Sequence, residues 1–330
     1  MVGEDDTGLP MKANPYLSDK MSETIIKVEH LSHRYSVQWA VRDIDFEIDR
    51  TGIVGLLGSN GAGKSTIMNI ICGVLSQTQG TVRIAGKDLR EDPVHAKQNI
   101  GFLPQKPPLY GDLTVDEYLT YAAQLRNMKR REIPAALAAV KEKCGIGHFS
   151  KRLIRNLSGG YQQRVGIAQA IIHNPLFVVL DEPTNGLDPN QIVDVRHLIT
   201  EIARDRAVLI STHILSEVQA TCDRIMMIEH GSLIFNGSLD DFDNYIEPNS
   251  FVMTLGHAPL TEELVKVAGV TRAESISEFS SRFRVWFDGD RETLTRMVET
   301  SVRNGWALSE IQLEKSSMDE IFAQLSKQER

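Results

Sequence analysis

Residues 58–65 read GSNGAGKS, and no other feature of the chain restricts its possible folds as strongly. The pattern GxxxxGK(S/T) works only as a loop between a buried strand and a helix, because backbone N–H groups and a helix N-terminus must converge on one place. Both neighbours are present: 53–57 (IVGLL) is an apolar, strand-length run, and 66–75 (TIMNIICGVL) follows as a helical apolar segment. Gly58, Gly61 and Gly63, with Ser59, Asn60 and Ala62 between them, let the backbone wrap so that its N–H groups face phosphate oxygens. Lys64 would neutralise phosphate charge, the Ser65 hydroxyl would hold Mg²⁺, and Thr66 continues the helix.

A strand–loop–helix unit implies an α/β fold, and the remaining pattern agrees. Residues 177–180 and 207–210 are short continuous apolar runs, as expected of parallel strands buried on both faces. Ligands in such sheets sit at the carboxyl ends of strands, so the following polar groups, DEPT and STH, are where chemistry is expected. Residues 25–46 alternate apolar and polar, which predicts antiparallel strands with a turn between them. From about 108 the pattern turns helical, with Val115, Tyr118, Leu119, Ala122 and Leu125 on one face; the helical insert spans about 108–170.

At 330 residues the length prior is two domains. Residues 25–240 form the first. The turn-rich stretch NGSLDDFDNYIEPNS then reads as a linker, and 241–330 restart the pattern as a small α+β domain, for which a ferredoxin-like arrangement is expected. Its predicted elements are strands at 251–255, 283–287 and 308–313 and helices at 261–268, 291–303 and from Met318, where Ser317 and Glu320 have capping-box spacing. Trp286 and Phe287 read as core or interface residues. Residues 1–24 are polar, acidic and turn-rich, the composition of a disordered leader.

Lys plus Arg number 36 against 44 Asp plus Glu, and the net charge of −8 is the wrong sign for a chain whose main partner is nucleic acid. No run approaches the ~18 apolar residues of a membrane span. Cys72, Cys144 and Cys222 stand far apart in apolar surroundings, which predicts buried thiols in a reducing compartment.

Asp181 ends the apolar run FVVLD and Glu182 follows it. Alone, the pair fits strand-end solvation as well as catalysis. Downstream of a phosphate loop it points to Asp181 orienting Mg²⁺ and Glu182 polarising an attacking water. In LSGGYQQR, Ser158, Gly159 and Gly160 precede a helical segment; alone they fit an ordinary cap and turn as well as a second anion site.

Taken in order, these motifs make residues 25–240 resemble an ATP-binding cassette (ABC) ATPase. Residues 58–66 resemble the family's Walker A loop, 176–181 its Walker B strand and 157–161 its signature motif. The resemblance makes Gln105 in GFLPQ the Q-loop glutamine, a metal and catalytic residue. It makes 186–188 in NGLDP the D-loop, with Asp188, His213 the switch histidine, and Tyr35 the adenine-stacking aromatic. It implies a P-loop NTPase cassette with a mixed sheet and a helical signature subdomain, with ATP and Mg²⁺ as cofactors. It also implies a homodimer, or a pair with a related cassette, in which the Ser158 segment of one copy closes over the ATP of the other. Tyr161 departs from the family's glutamine at the fifth signature position, so an altered rate is expected rather than lost activity.

Within the family, GLDPNQ, YQQRVGIAQA and the tail ending SSMDEIFAQL resemble the ATPase subunits of ABC-2-type exporters, gliding-motility systems included. That implies a separate transmembrane permease as partner, transport-coupled ATP hydrolysis, and a cytoplasmic location at the inner face of the membrane. The competing reading is a regulatory cassette that dimerises on ATP but barely turns over; Glu182 and His213 weigh against it.

Overall fold

A computed structural model describes residues 24–246, 248–276, 281–314 and 317–327; of the expected leader, 1–23 lie outside the described residues. The chain divides into two compact units that meet between Asn236 and Gly237.

The first unit opens on a hairpin, β1 (Ile26–Tyr35) and β2 (Gln38–Ile48), antiparallel as the period-2 pattern predicts but with register shifts after Val28, Leu31 and His33. Next come β3 (Gly52–Leu57), α1 (Lys64–Ile71), β4 (Gln79–Ile84), β5 (Lys87–Asp88), α2 (Pro93–Gln98) and β6 (Ile100–Leu103). The helical insert supplies α3 (Val115–Leu125), α4 (Ile133–Lys143) and α5 (Gly159–Ile171). The unit finishes with β7 (Phe177–Asp181), α6 (Pro189–Ala203), β8 (Ala207–Thr212), α7 (Leu215–Thr221), β9 (Arg224–Glu229) and β10 (Ser232–Ser238).

Two sheets result. One is antiparallel, in the order β2-β1-β4-β5; the other runs β10-β9-β3-β8-β7-β6, with parallel pairing from β9 through β6. One core joins them: Ile26, Ile44 and Val82 from the first sheet meet Leu56, Phe177, Val179 and Leu209 from the second, with Ile67, Met68, Ile70 and Ile71 of α1 in the same cluster. Val178, Leu180, Val208 and Ile210 are buried as well, so β7 and β8 are covered on both faces, the physical reason for their continuous apolar runs. This fixes the carboxyl ends of β3, β7 and β8 side by side.

In the insert, α3 starts at a reciprocal capping box between Thr114 and Glu117. Val115, Tyr118, Leu119 and Ala122 are buried as their spacing predicts, whereas Leu125 is 64% exposed: it ends the helix past the last packed turn.

The second unit contains α8 (Leu239–Asp243), β11 (Ser250–Leu255), α9 (Thr261–Val265), β12 (Val270–Ser275), β13 (Arg282–Phe287), α10 (Glu292–Arg303), β14 (Leu308–Glu314) and α11 (Met318–Lys327). The sheet order β12-β13-β11-β14, antiparallel throughout, makes the β11–β14 segment a ferredoxin-like βαββαβ unit. Its core gathers Phe251, Met253, Phe283, Val285, Phe287, Met297 and Trp306. Phe287 is therefore a core residue, but Trp286 is not. It lies half-buried on the opposite face, with the Arg272 guanidinium 4.6 Å from its ring centroid. Sequence reading missed β12, because VTRAES has no fully buried residue and hence no apolar stripe. Ser317 and Glu320 do form the reciprocal cap of α11.

Candidate active site

The loop at 58–65 leaves β3 and turns into α1 through Gly63, whose φ of 114° is open only to glycine at low cost; a Cβ there would also lie 2.7 Å from Val41 Cγ1. Gly58 is required by closeness: its Cβ would sit 2.2 Å from the Ile228 carbonyl oxygen on β9. The loop is braced from behind. Gly231 donates to the Ala62 carbonyl at 3.0 Å, and Arg42 of β2 donates to the Gly231 carbonyl at 2.8 Å. Ser59 donates through its hydroxyl to the buried Glu229 at 2.7 Å.

Lys64 is buried, and its Nζ donates to the Gly58 and Ser59 carbonyls at 2.7 and 2.9 Å. Burial lowers its pKa, opposed by the negative charges of Glu182, Asp181 and Glu229. An ammonium ion thus stands in the mouth of the loop, ringed by three carboxylates.

The two acidic residues at the end of β7 have different surroundings. Burial pushes the Asp181 carboxyl up, with hydroxyl hydrogen bonds from Ser211 and Ser65 acting the other way. Ser211 faces Asp181 across the parallel β7–β8 register. Glu182 takes a left-handed backbone conformation, φ 46°, held by its own N–H donating to the Ser211 carbonyl and hydroxyl at 3.2 and 3.1 Å and by Asn185 N–H donating to its carbonyl at 3.1 Å. Such strain in a non-glycine residue costs about 1–3 kcal/mol and persists only where the surroundings enforce it. It turns the carboxylate into a polar cluster. Glu182 Oε2 accepts from Gln105 Nε2 at 2.7 Å and Asn185 Nδ2 at 3.0 Å, while Oε1 lies 2.9 Å from His213 Nδ1.

Of the residues singled out in the sequence, Gln105, Glu182 and His213 therefore meet at one carboxylate, and Lys64, Ser65 and Asp181 lie beside it. Asp188 caps α6 by accepting from the Gln191 N–H at 2.9 Å. Ser158 precedes α5, and Gly160 adjoins Gln191 so closely that a Cβ would come within 2.6 Å of its amide. Among the described residues, no hydrogen bond or ion pair joins Ser158, Gly159 or Gly160 to residues 58–66. The same holds for Tyr35, which is 54% exposed and stands edge-on to His33. Tyr161 packs its ring against Phe149, with centroids 4.5 Å apart, and under the Arg164 guanidinium.

Sequence reasoning missed Ser211, Asn185 and Glu229. Ser211 and Asn185 sit inside the STH and DEPTN stretches, so position at a strand end was the available signal. Glu229 ends β9 170 residues from Ser59, and only the fold brings the two together.

Residues 41–185 match the family model described as ABC transporter. An uncharacterized ABC transporter ATP-binding protein of Bacillus subtilis, YxlF, is 32% identical over 231 residues, 70% of this chain and 77% of the relative. The bacitracin transport ATP-binding protein BcrA of Bacillus licheniformis is 36% identical over 213 residues, 64% of this chain and 69% of the relative. Among solved structures, cbiO1 of Clostridium perfringens, described as part of the ABC transporter complex cbiONQ, superposes with a TM-score of 0.60 at 28% identity, covering 66% of this chain and 89% of that one. Likeness of this extent leaves one placement for a chain with this loop and these strand-end carboxylates: it belongs to the ABC transporter family, as an ATP-binding subunit and an ATPase.

Proposed function

We propose that the chain powers an ABC-2-type exporter, hydrolysing ATP between two of its own copies and passing the resulting closure to a separate permease at the inner face of the membrane. The observation that carries this is the cluster on Glu182, a carboxylate beside Lys64 and held by Gln105, Asn185 and His213. Ser158, Gly159 and Gly160 support the pairing: among the described residues they make no hydrogen bond or ion pair to residues 58–66, which leaves them available to the loop of another copy. Tyr35 is exposed, as a stacking surface for the adenine ring requires.

The oxygens present suit Mg²⁺, which takes oxygen ligands, retains water and binds through one or two protein groups plus phosphate. Ser65 and Asp181 would hold it; Gln105, directed at Glu182, would link the metal to the helical insert. The ion would neutralise charge on the phosphates. Lys64 adds its positive charge there, Glu182 orients the attacking water and accepts its proton, and His213 steadies Glu182. The P–O bond between the γ-phosphorus and the bridging oxygen breaks. With the γ-phosphate gone, its contacts across the pair are lost and the pair reopens.

A cleft of about 500 Å³ lined by Leu109, Tyr110, Gly111, Asp112, Leu113 and Tyr121 begins four residues beyond Gln105. Tyr110 and Tyr121 are exposed there, an apolar footing for a permease loop. No helix among the described residues is long and apolar enough to cross a membrane. BcrA, named for bacitracin transport, supports a transport assignment by similarity.

The test is capture of tagged Glu182→Gln protein with ATP from detergent-solubilised host membranes. Recovery of a polytopic permease, lost in a Tyr110→Lys/Tyr121→Lys variant that retains ATP binding, is the expected result. A self-paired protein with only soluble partners would refute the transport coupling.

A further inference from the structure

Glu217 is a buried carboxylate that the hydrolysis scheme above does not use. It lies on α7, 7% exposed, and its two oxygens divide between two segments. Oε1 accepts from the Thr184 hydroxyl at 2.7 Å, two residues beyond Glu182; Oε2 accepts from the Thr212 hydroxyl at 2.9 Å, one residue before His213. Both threonines are buried. The Thr212 hydroxyl in turn accepts the Ile214 N–H at 3.1 Å, so His213 is flanked on both sides by residues fixed to this network. The Arg196 guanidinium of α6, the helix capped by Asp188, approaches Oε1 at 3.7 Å.

A buried carboxylate is costly unless it is paired and hydrogen-bonded, and here the two hydrogen bonds it accepts come from the segment that carries Glu182 and the segment that carries His213, with Arg196 as its ion-pair partner. We propose that Glu217 is a positioning residue for hydrolysis: it sets the separation of Glu182 and His213 and ties that separation to α6. Its effect passes through the 2.9 Å contact between Glu182 and His213. The inference rests on the reading of those two residues as the hydrolytic pair.

The consequence is a selective one. Loosening the bridge should lower kcat and leave ATP affinity alone, since no bond in the network reaches residues 58–66. Thr212→Val removes the hydroxyl while keeping the side-chain shape. It should lower kcat by about tenfold, the scale on which small misplacements of reacting groups act, with ATP dissociation constant unchanged within about twofold. Thr212→Ser should restore most of the rate. Glu217→Gln, which keeps one acceptor oxygen, serves as a second variant.

The deciding experiment places Thr212→Val and Glu217→Gln in a His213→Ala background. If Glu217 acts through His213, neither causes a further loss beyond about twofold there, although both slow the parent protein. Equal losses in both backgrounds, or kcat and ATP affinity falling together with the melting temperature, would overturn the proposal and leave Glu217 a structural residue. Parent-like kcat in both Thr212→Val and Glu217→Gln, with His213→Ala slowed, would overturn it while the hydrolytic pair stands. A His213→Ala protein with unchanged turnover would instead overturn the pair itself, and Glu217's role with it.

Discussion

Glu182→Gln separates the chemistry of the site from its architecture. The Glu182 side chain is 13% exposed and surrounded by three partners, so the substitution looks disruptive; the hydrogen-bond geometry says otherwise. Oε2 accepts two N–H groups, from Gln105 at 2.7 Å and Asn185 at 3.0 Å, and an amide oxygen in its place accepts both. The amide NH₂ then takes the position of Oε1, 2.9 Å from His213 Nδ1, and the imidazole accommodates it by carrying its proton on Nε2. No buried donor loses its acceptor, so stability should change by less than about 1 kcal/mol. A neutral amide, however, cannot accept a proton at pH 7. Losing a general base costs about 10²–10⁴ in rate, or roughly 3–5 kcal/mol of transition-state stabilisation. Steady-state phosphate release at saturating Mg²⁺–ATP, read beside thermal unfolding, checks both halves. A kcat within about threefold of the parent, with the fold intact, would refute the assignment of Glu182 as the base.

Asp181→Asn should raise stability. Burial raises the Asp181 pKa, so this group's contribution is present at low pH and is lost as pH rises through the folded value; at pH 7 the ionised form weighs against folding. The asparagine variant should melt at a higher temperature than the parent at pH 7, while Mg²⁺-dependent hydrolysis is lost; a lower melting temperature would contradict the sign. His173 gives the pH dependence. Burial and the nearby Arg126 charge push it down to about 4, and its Nδ1 is buried with no partner, so its contribution is present above the unfolded value of 6.5 and lost as pH falls toward 4. Melting curves from pH 7 to 4 should fall less steeply for His173→Gln than for the parent, and parallel slopes would refute the assignment.

Which parts of this molecule were legible in its sequence follows from how far apart the interacting residues lie. The loop at 58–65 is local: strand, glycines, lysine and helix occupy one continuous stretch, so the pattern and the structure carry the same information. β7 and β8 announced themselves because burial on both faces leaves an unbroken apolar run. The partners within the site did not. Gln105 and Glu182 are 77 residues apart, and Ser211 reaches Asp181 only through strand register. β12 was invisible because a polar strand with no buried side chain has no periodicity to read, and Leu125 misled because helical spacing says nothing about where packing stops. Tyr161 stood out as a departure from the signature, yet its packing against Phe149 and Arg164 depends on contacts that no motif encodes.

The central claim is that one chain holds half of each hydrolytic site and that ATP joins two copies. Light scattering on size-exclusion chromatography of Glu182→Gln protein, with and without ATP, tests it most directly. The expected result is a single-chain mass without nucleotide, twice that mass with ATP, and no shift in a Ser158→Arg variant that still binds ATP. A single-chain mass at saturating ATP in the Glu182→Gln protein would contradict it.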